Sequence, residues 1–393
     1  MSAPLAGALH AELRALAGED AVVDPERAGT LYLDATIDRG LRGRADAVVL
    51  PRDAATLARV VGWCCEHDVA IVPRGGGTGF AGGAVTGRQV LALEAVLASG
   101  ERVELGAAVT KDVAGYALKD LLVGSEGTLA LVTRVLVRLL PPPEAALPVV
   151  GFYPDVASGC AALEAARTCG AFPALIEYLD GAALALSGVP GDARGAEGAG
   201  FAVLVEADGA AEQAHADREL LREALADGAL ATWAPAGTEG VRALWRWRDG
   251  VAHAVNTARG GKLSEDVVVP FARIREAIEA TLELGARHDL PACSWGHAGD
   301  GNLHSTFLVD PGDPAQLARA EEACEELFDV ALELGGSVSG EHGVGLVKRA
   351  AVARQLTGPL AALQGAIKHA FDPKGLLNPG KKLPPVPTRE PAA

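Results

Sequence analysis

Apolar and polar positions along the chain follow two periods, one near 3.6 and one of 2, and the switches between them predict where helices and strands lie. The opening run Met1-Ser-Ala-Pro-Leu-Ala-Gly-Ala-Leu-His-Ala-Glu-Leu-Arg14 reads as an amphipathic helix and lacks the basic stretch and long apolar core of a signal peptide. Residues 47–51 predict a short buried strand, 53–65 a capped amphipathic helix and 69–73 a second strand that enters a glycine-rich run. Residues 89–97 and 102–105 predict two strands joined by a turn at Ser99-Gly100, and 121–140 a glycine-rich turn, Gly124-Ser125-Glu126-Gly127, followed by a β-rich run. Pro141-Pro142-Pro143 cannot continue a sheet and marks a domain boundary.

Beyond that boundary the pattern predicts strand 148–152, helix 156–168, strand 174–179, strand 201–206, helix 211–226 and strand 231–234. This βαββαβ succession is that of a ferredoxin-like unit, with residues 187–200 as its long polar loop. Helical periods at 238–255, 271–288, 314–334 and 348–370 extend the second half. The expected fold class is α+β. The expected division is 1–143, 144–383 and a disordered tail at 384–393.

Composition narrows the function. A chain of 393 residues that is 49% hydrophobic can bury two cores. Its formal net charge of −16, with no local block of Lys or Arg, argues against a nucleic-acid or anionic-membrane partner, so a small anionic substrate would need its own cationic pocket. No stretch approaches an uninterrupted membrane span. The six cysteines form no CxxC and suit a reducing, cytoplasmic setting.

The densest chemistry lies in Gly296-His297-Ala298-Gly299-Asp300-Gly301-Asn302-Leu303-His304, answered by Ser339-Gly340-Glu341-His342-Gly343, in a chain with only nine histidines. The flanks 291–295 and 303–309 read as strands joined by a Gly-Asp-Gly hairpin. A turn centred on Gly299-Asp300 places His297 opposite Asn302 and turns His304 to the same face. Two imidazoles and a carboxylate leave an open position on a divalent ion, as in a catalytic site. The competing reading is that each histidine is a satisfied polar residue in a turn.

Gly77-Thr78-Gly79-Phe80-Ala81-Gly82 matches GxGxxG and follows a strand. A nicotinamide fingerprint needs a helix opening at that turn, and Gly83 and Gly87 leave no room for one. Successive backbone N–H groups can instead wrap phosphates as a nest. The competing reading is an elaborate surface turn.

Together, Pro73-Arg74-Gly75-Gly76-Gly77-Thr78-Gly79, Lys111 to Tyr116, Val123 to Leu129, Lys262 to Pro270, His297 to His304, Ser339 to Gly345 and Asp372 to Gly380 resemble the FAD-linked oxidases of the vanillyl-alcohol-oxidase (PCMH) type. The branch they are most similar to is that of D-lactate dehydrogenase, the glycolate oxidase flavoprotein subunit and D-2-hydroxyglutarate dehydrogenase. The resemblance implies a PCMH-type FAD-binding domain followed by a ferredoxin-like C-terminal substrate (cap) domain. It implies that Arg74, Gly75, Gly76, Gly77, Thr78 and Gly79 lie on the FAD pyrophosphate. It also implies that Gly124, Ser125, Glu126 and Gly127 approach the flavin and that Asn378 closes over it. His297, His304 and Glu341 would hold a divalent metal, zinc or manganese, and His342 would act as base. Arg248 and Lys262 would grip a substrate carboxylate; the competing readings are an exposed helix charge and a solvated strand end.

One departure stands out. Thr86 to Leu93 runs directly into Glu94 to Leu105, where relatives carry a long intervening segment with a second glycine-rich cofactor motif. The FAD domain therefore reads as shortened near residues 86–94, with loss of central strands and an exposed apolar face expected. The expected function is oxidation of a D-2-hydroxy acid, with electrons leaving for an acceptor the sequence does not name. The alternative is a flavin-free remnant that binds a metal and carboxylates without redox turnover.

Overall fold

The computed structural model describes residues 7–23, 45–73, 90–190 and 193–384. These fall into two compact units, one formed by residues up to 139 together with those from 341 onward, the other by residues 140–340. The segment after Gly340 thus belongs to the first unit rather than continuing the second.

In the first unit, helix α1 (Gly7–Ala17) is followed by strands β1 (Val22–Val23) and β2 (Val48–Val49), which pair antiparallel. The strand expected at 47–51 is therefore two residues long and half-buried, and Leu50 beyond it is exposed. Helix α2 (Ala54–Glu66) begins where Asp53 accepts a hydrogen bond from the Thr56 amide at 2.6 Å, a cap of the kind that contributes about 1 kcal/mol. Its Val60, Trp63 and Cys64 pack with Leu13 and Val22 into one small core.

The strand expected at 69–73 does not form. Ile71 makes a single parallel bridge to Leu377, donating to Leu376 O and accepting from Asn378 N, and Pro73 has no N–H to extend the pairing. Residues 74–89, with Arg74 to Gly79 and most of the expected join, lie outside the described residues. Strands β3 (Val90–Val96), β4 (Arg102–Gly106) and, after the one-turn helix α3 (Leu118–Leu122), β5 (Leu131–Val137) make an antiparallel sheet in the order β4-β3-β5. One side of β3 is buried with Leu122 and Leu129, whereas Val132, Val135, Leu136 and Val137 of β5 are exposed.

The second unit is built on a seven-stranded sheet. Strand β6 (Ala145–Tyr153), helix α4 (Val156–Thr168), strand β7 (Leu175–Asp180), helix α5 (Gly181–Ser187), strand β8 (Phe201–Gly209), helix α6 (Ala211–Ala224) and strand β9 (Ala231–Trp233) follow in order. Helix α5 was not expected. Asp180 caps it through the Ala183 amide at 2.8 Å and also accepts from the Ser294 amide at 2.7 Å, so one buried carboxylate ties the helix to a later strand. Helix α7 (Gly237–Thr257), strand β10 (Gly261–Val268), helix α8 (Ile274–Arg287), strands β11 (Ala292–His297) and β12 (Asn302–Val309) and helix α9 (Pro314–Glu333) complete the unit. The strand order is β10-β12-β11-β7-β8-β6-β9. Its last four strands are the ferredoxin-like arrangement that the βαββαβ pattern implied, and the other three extend it at β7. Helices α5 and α7 cover one face, where Leu244, Val251 and Val255 of α7 meet Leu179, Cys293 and Trp295.

The chain then re-enters the first unit with α10 (Arg349–Gln355) and α11 (Gly358–Phe371). A single helix over 348–370 was expected. It breaks at Leu356-Thr357-Gly358-Pro359, because Leu356 is extended ahead of a left-handed Gly358, φ +54°, and Pro359 starts a new helix. Among the described residues no helix is long and apolar enough to cross a membrane.

Candidate active site and metal-ligand cluster

The β11–β12 hairpin turns through Ala298-Gly299-Asp300 to Gly301, which lies in the left-handed region at φ +79° and donates to Ala298 O. Any Cβ at Gly301 would collide with the carbonyl oxygen of Val269, so only glycine closes this turn. The resulting register pairs His297 with Asn302 and Trp295 with His304. Directly paired residues share a face, as do residues two apart, so His297, Asn302 and His304 project together, as the sequence implied. The two imidazoles stand nearly perpendicular, with centroids 5.2 Å apart.

Neighbouring strands add to that face. Asp266 of β10 pairs with His304, and Glu177 of β7 pairs with His297. Lys262, at the start of β10, places its Nζ 4.9 Å from the centroid of the Trp295 ring, which in turn lies 5.9 Å from the His304 ring. Lys262 is thus held beside the histidines rather than being a solvated strand end. Arg248 of α7 is only 14% exposed and forms an ion pair with Glu177, which removes the reading of an exposed helix charge.

Glu177 and Asp266 are acidic residues of this face to which sequence reasoning gave no role. The Oε1 of Glu177 lies 2.5 Å from His297 Nδ1, while Oε2 accepts from Arg248 Nε. Burial alone would raise this carboxyl, but the His297 hydrogen bond and the Arg248 charge outweigh it and hold it below the ordinary value. Asp266 is fully buried and accepts from the Gly340 amide at 2.7 Å and from Ser339 Oγ at 3.3 Å. It therefore fixes the turn whose next residue is Glu341. A Cβ at Gly340 would run into the Asn302 amide and come 2.7 Å from Val268 Cγ2, so a larger residue there would have to displace both side chains. Both acids interrupt apolar strand patterns, Ala-Leu-Ile-Glu-Tyr-Leu and Leu-Ser-Glu-Asp-Val-Val-Val, and that interruption was the available signal.

The turn delivers Glu341 to the histidines. One ligand atom each from His297, His304 and Glu341 lies within 4.8 Å of the others. Asn302 Oδ1, on the same face, is buried without a hydrogen-bond partner among the described residues. Two imidazole nitrogens, a carboxylate and a waiting carbonyl oxygen suit a divalent transition metal and a polar ligand beside it. His342 Nε2 lies 3.8 Å from Glu341 Oε1.

In the first unit, those of the residues implied for FAD that are described, Gly124 to Gly127 and Asn378, come together from distant parts of the chain. Ser125 is buried, Glu126 is in the left-handed region at φ +55°, and its carboxylate accepts from the amides of Val344 and Gly345, each at 2.9 Å. Asn378 Nδ2 donates to Glu126 O at 2.6 Å. A Cβ at Gly127 would collide with Pro73, the residue that leads into the glycine-rich run, whereas none of the described residues comes within 4 Å of a Cβ position at Gly124. A close-packed turn with one open backbone position, tied to Asn378, fits a planar cofactor approaching main chain.

Comparison with known proteins bears on these two regions in turn. A family profile described as "FAD binding domain" matches residues 45–128, and one described as "FAD linked oxidases, C-terminal domain" matches residues 142–382. The glycolate oxidase subunit GlcD of Bacillus subtilis is 29% identical, the match covering 91% of this chain and 93% of that protein. A probable mitochondrial D-lactate dehydrogenase of Danio rerio is 33% identical over 75% of this chain, which spans 60% of that relative. The alignment to the Bacillus subunit runs over 443 residues, more than the 393 of this chain, so the relative carries positions with no counterpart here. Among solved structures, p-cresol methylhydroxylase with substrate bound superposes with a TM-score of 0.75 over 96% of this chain and 97% of that one, at 14% identity, a likeness of fold.

Proposed function

Since the chain belongs to the FAD-linked oxidases, whose C-terminal domain profile spans residues 142–382, we propose that it oxidises a D-2-hydroxy acid, of the lactate, glycolate or 2-hydroxyglutarate class, to the 2-oxo acid. The observation that carries this reading is the cluster of His297, His304 and Glu341, with Lys262 and Arg248 held beside it on the same sheet face. The names of the relatives, a glycolate oxidase subunit and a D-lactate dehydrogenase, support the substrate class.

In this proposal Arg248 and Lys262 take the substrate carboxylate, supplying the local cationic pocket that an acidic protein needs for an anionic substrate. His297, His304 and Glu341 hold the divalent metal, zinc or manganese, which when bound supplies a positive charge that acidifies a hydroxyl. His342 removes the hydroxyl proton as general base. Gly124 to Gly127 and Asn378, with Arg74 to Gly79, hold the FAD, which when bound supplies the acceptor for the hydride leaving C2. Fixing the carboxylate by two cations turns C2 in one direction, a contribution of positioning rather than of chemistry.

The test is the visible spectrum of the purified protein with added FAD, followed anaerobically on addition of D-lactate, glycolate or D-2-hydroxyglutarate. Flavin bands that bleach with one of these acids are expected. In His342→Ala, bleaching should slow by roughly 10²–10⁴-fold while metal content is retained, the usual loss for a general base. A protein that binds metal but takes up no flavin would replace this reading with that of a carboxylate-binding remnant without turnover.

A further inference from the structure

We propose that Glu177 is the positioning residue of the site, a single buried carboxylate that sets both a metal ligand, His297, and the partner of the substrate carboxylate, Arg248. The inference rests on the metal reading of His297, His304 and Glu341. An ionised carboxylate can only accept hydrogen bonds, so the nitrogen 2.5 Å from Glu177 Oε1, His297 Nδ1, must carry the proton. In the neutral ring the lone pair is thereby left on Nε2, and the ring is held at the angle that points it away from β7. Without the carboxylate, imidazole divides between two tautomers and turns about its own axis. A carboxylate behind a ligating histidine also raises its basicity.

The other oxygen does the same for Arg248. Glu177 Oε2 lies within reach of both Nε and Nη2, which fixes the guanidinium plane and leaves its Nη1 edge to a ligand carboxylate. Glu177 comes from β7, Arg248 from α7 and His297 from β11, so three elements are registered through one side chain that is 7% exposed. A purely structural ion pair would need only the Arg248 arm. The second arm, to a histidine on the ligand face, is what assigns Glu177 to the site.

The full-length protein, stripped with a chelator, is titrated with Mn²⁺ followed by electron paramagnetic resonance. Wild type should bind one equivalent, and His304→Ala should not. Glu177→Gln keeps the volume but not the charge, and is expected to bind Mn²⁺ roughly 10- to 100-fold more weakly, the usual effect of losing such a partner, and to raise KM for the hydroxy acid. Wild-type Mn²⁺ affinity in Glu177→Gln would overturn the inference and leave the metal reading intact. A wild-type protein with no site sensitive to His304→Ala would overturn both. If Glu177→Gln fails to fold, nitrogen-15 imidazole spectra of the metal-free wild type, with His297→Ala for assignment, still decide the matter. The Nδ1–H tautomer is expected at His297, and the Nε2–H tautomer would overturn the inference.

Discussion

The carboxyl of Glu177 is buried yet held below its ordinary value of 4.5, and that combination makes its contribution to stability depend on pH in a definite direction. Between the folded and unfolded values the unfolded chain carries the extra proton, so stability rises with pH across that window. The contribution is complete above about 4.5 and is lost as pH falls through the folded value. Below that point the wild-type side chain is neutral, as glutamine is. Urea unfolding should therefore find Glu177→Gln less stable than wild type near neutral pH, where the Arg248 charge is left buried and unpaired, with the gap narrowing as pH drops below 4.5. A gap independent of pH would mean that charge is not what Glu177 contributes. The facing of His297 and His304 was legible because it needs only a two-residue repeat and one glycine-closed turn. Glu177 was not, because it meets His297 across 120 positions of sequence, through a strand pairing that no local pattern encodes.

At the scale of elements, legibility again followed the range of the forces involved. Helix α4 and strands β6, β7 and β8 of the ferredoxin-like unit could be placed from period and caps alone, since Asp155 holds the Ser158 amide and these strand runs are long. Helix α5 and strand β1 were missed because each depends on a partner elsewhere: α5 on the Asp180 link to Ser294, and β1 on β2, a strand more than twenty positions further along the chain. The expected strand at 69–73 failed for the same reason, since its backbone groups pair with residues 376–378. Gly159 in α4 shows how tightly one such packing is set. A Cβ there would clash with the ring of Phe201 on β8, 2.7 Å from its Cε1 and nearer to Cδ1 and Cγ, and Phe201 is fully buried. Helix propensity favours alanine over glycine by about 1 kcal/mol, whereas overpacking a filled core costs about 1–3 kcal/mol. Gly159→Ala should therefore lower the denaturant midpoint rather than raise it. A stabilised variant would show that α4 can lift from β8 without loss.

For the whole molecule, the net charge of −16 works against the proposed anionic substrate. A hydroxy acid anion approaching from a distance meets a net repulsive field, which the cations Arg248 and Lys262 oppose at close range. Salt acts differently on the two terms. At about 0.1 M the screening length is about 10 Å, so added salt removes most of the long-range repulsion. The Arg248 guanidinium, 14% exposed and backed by Glu177, lies where screening is weak, so its attraction for a bound carboxylate changes less. The balance predicts that raising ionic strength from about 0.01 M to about 0.15 M lowers KM for a D-2-hydroxy acid, with kcat little changed because the field acts on encounter and not on the bound complex. Steady-state rates across a sodium chloride series, with an uncharged electron acceptor so that only the substrate is anionic, would measure it. A KM that rises with salt would place the net attraction outside the pocket, in a basic approach surface, and would shift the search for substrate-binding residues from Arg248 and Lys262 to exposed cations.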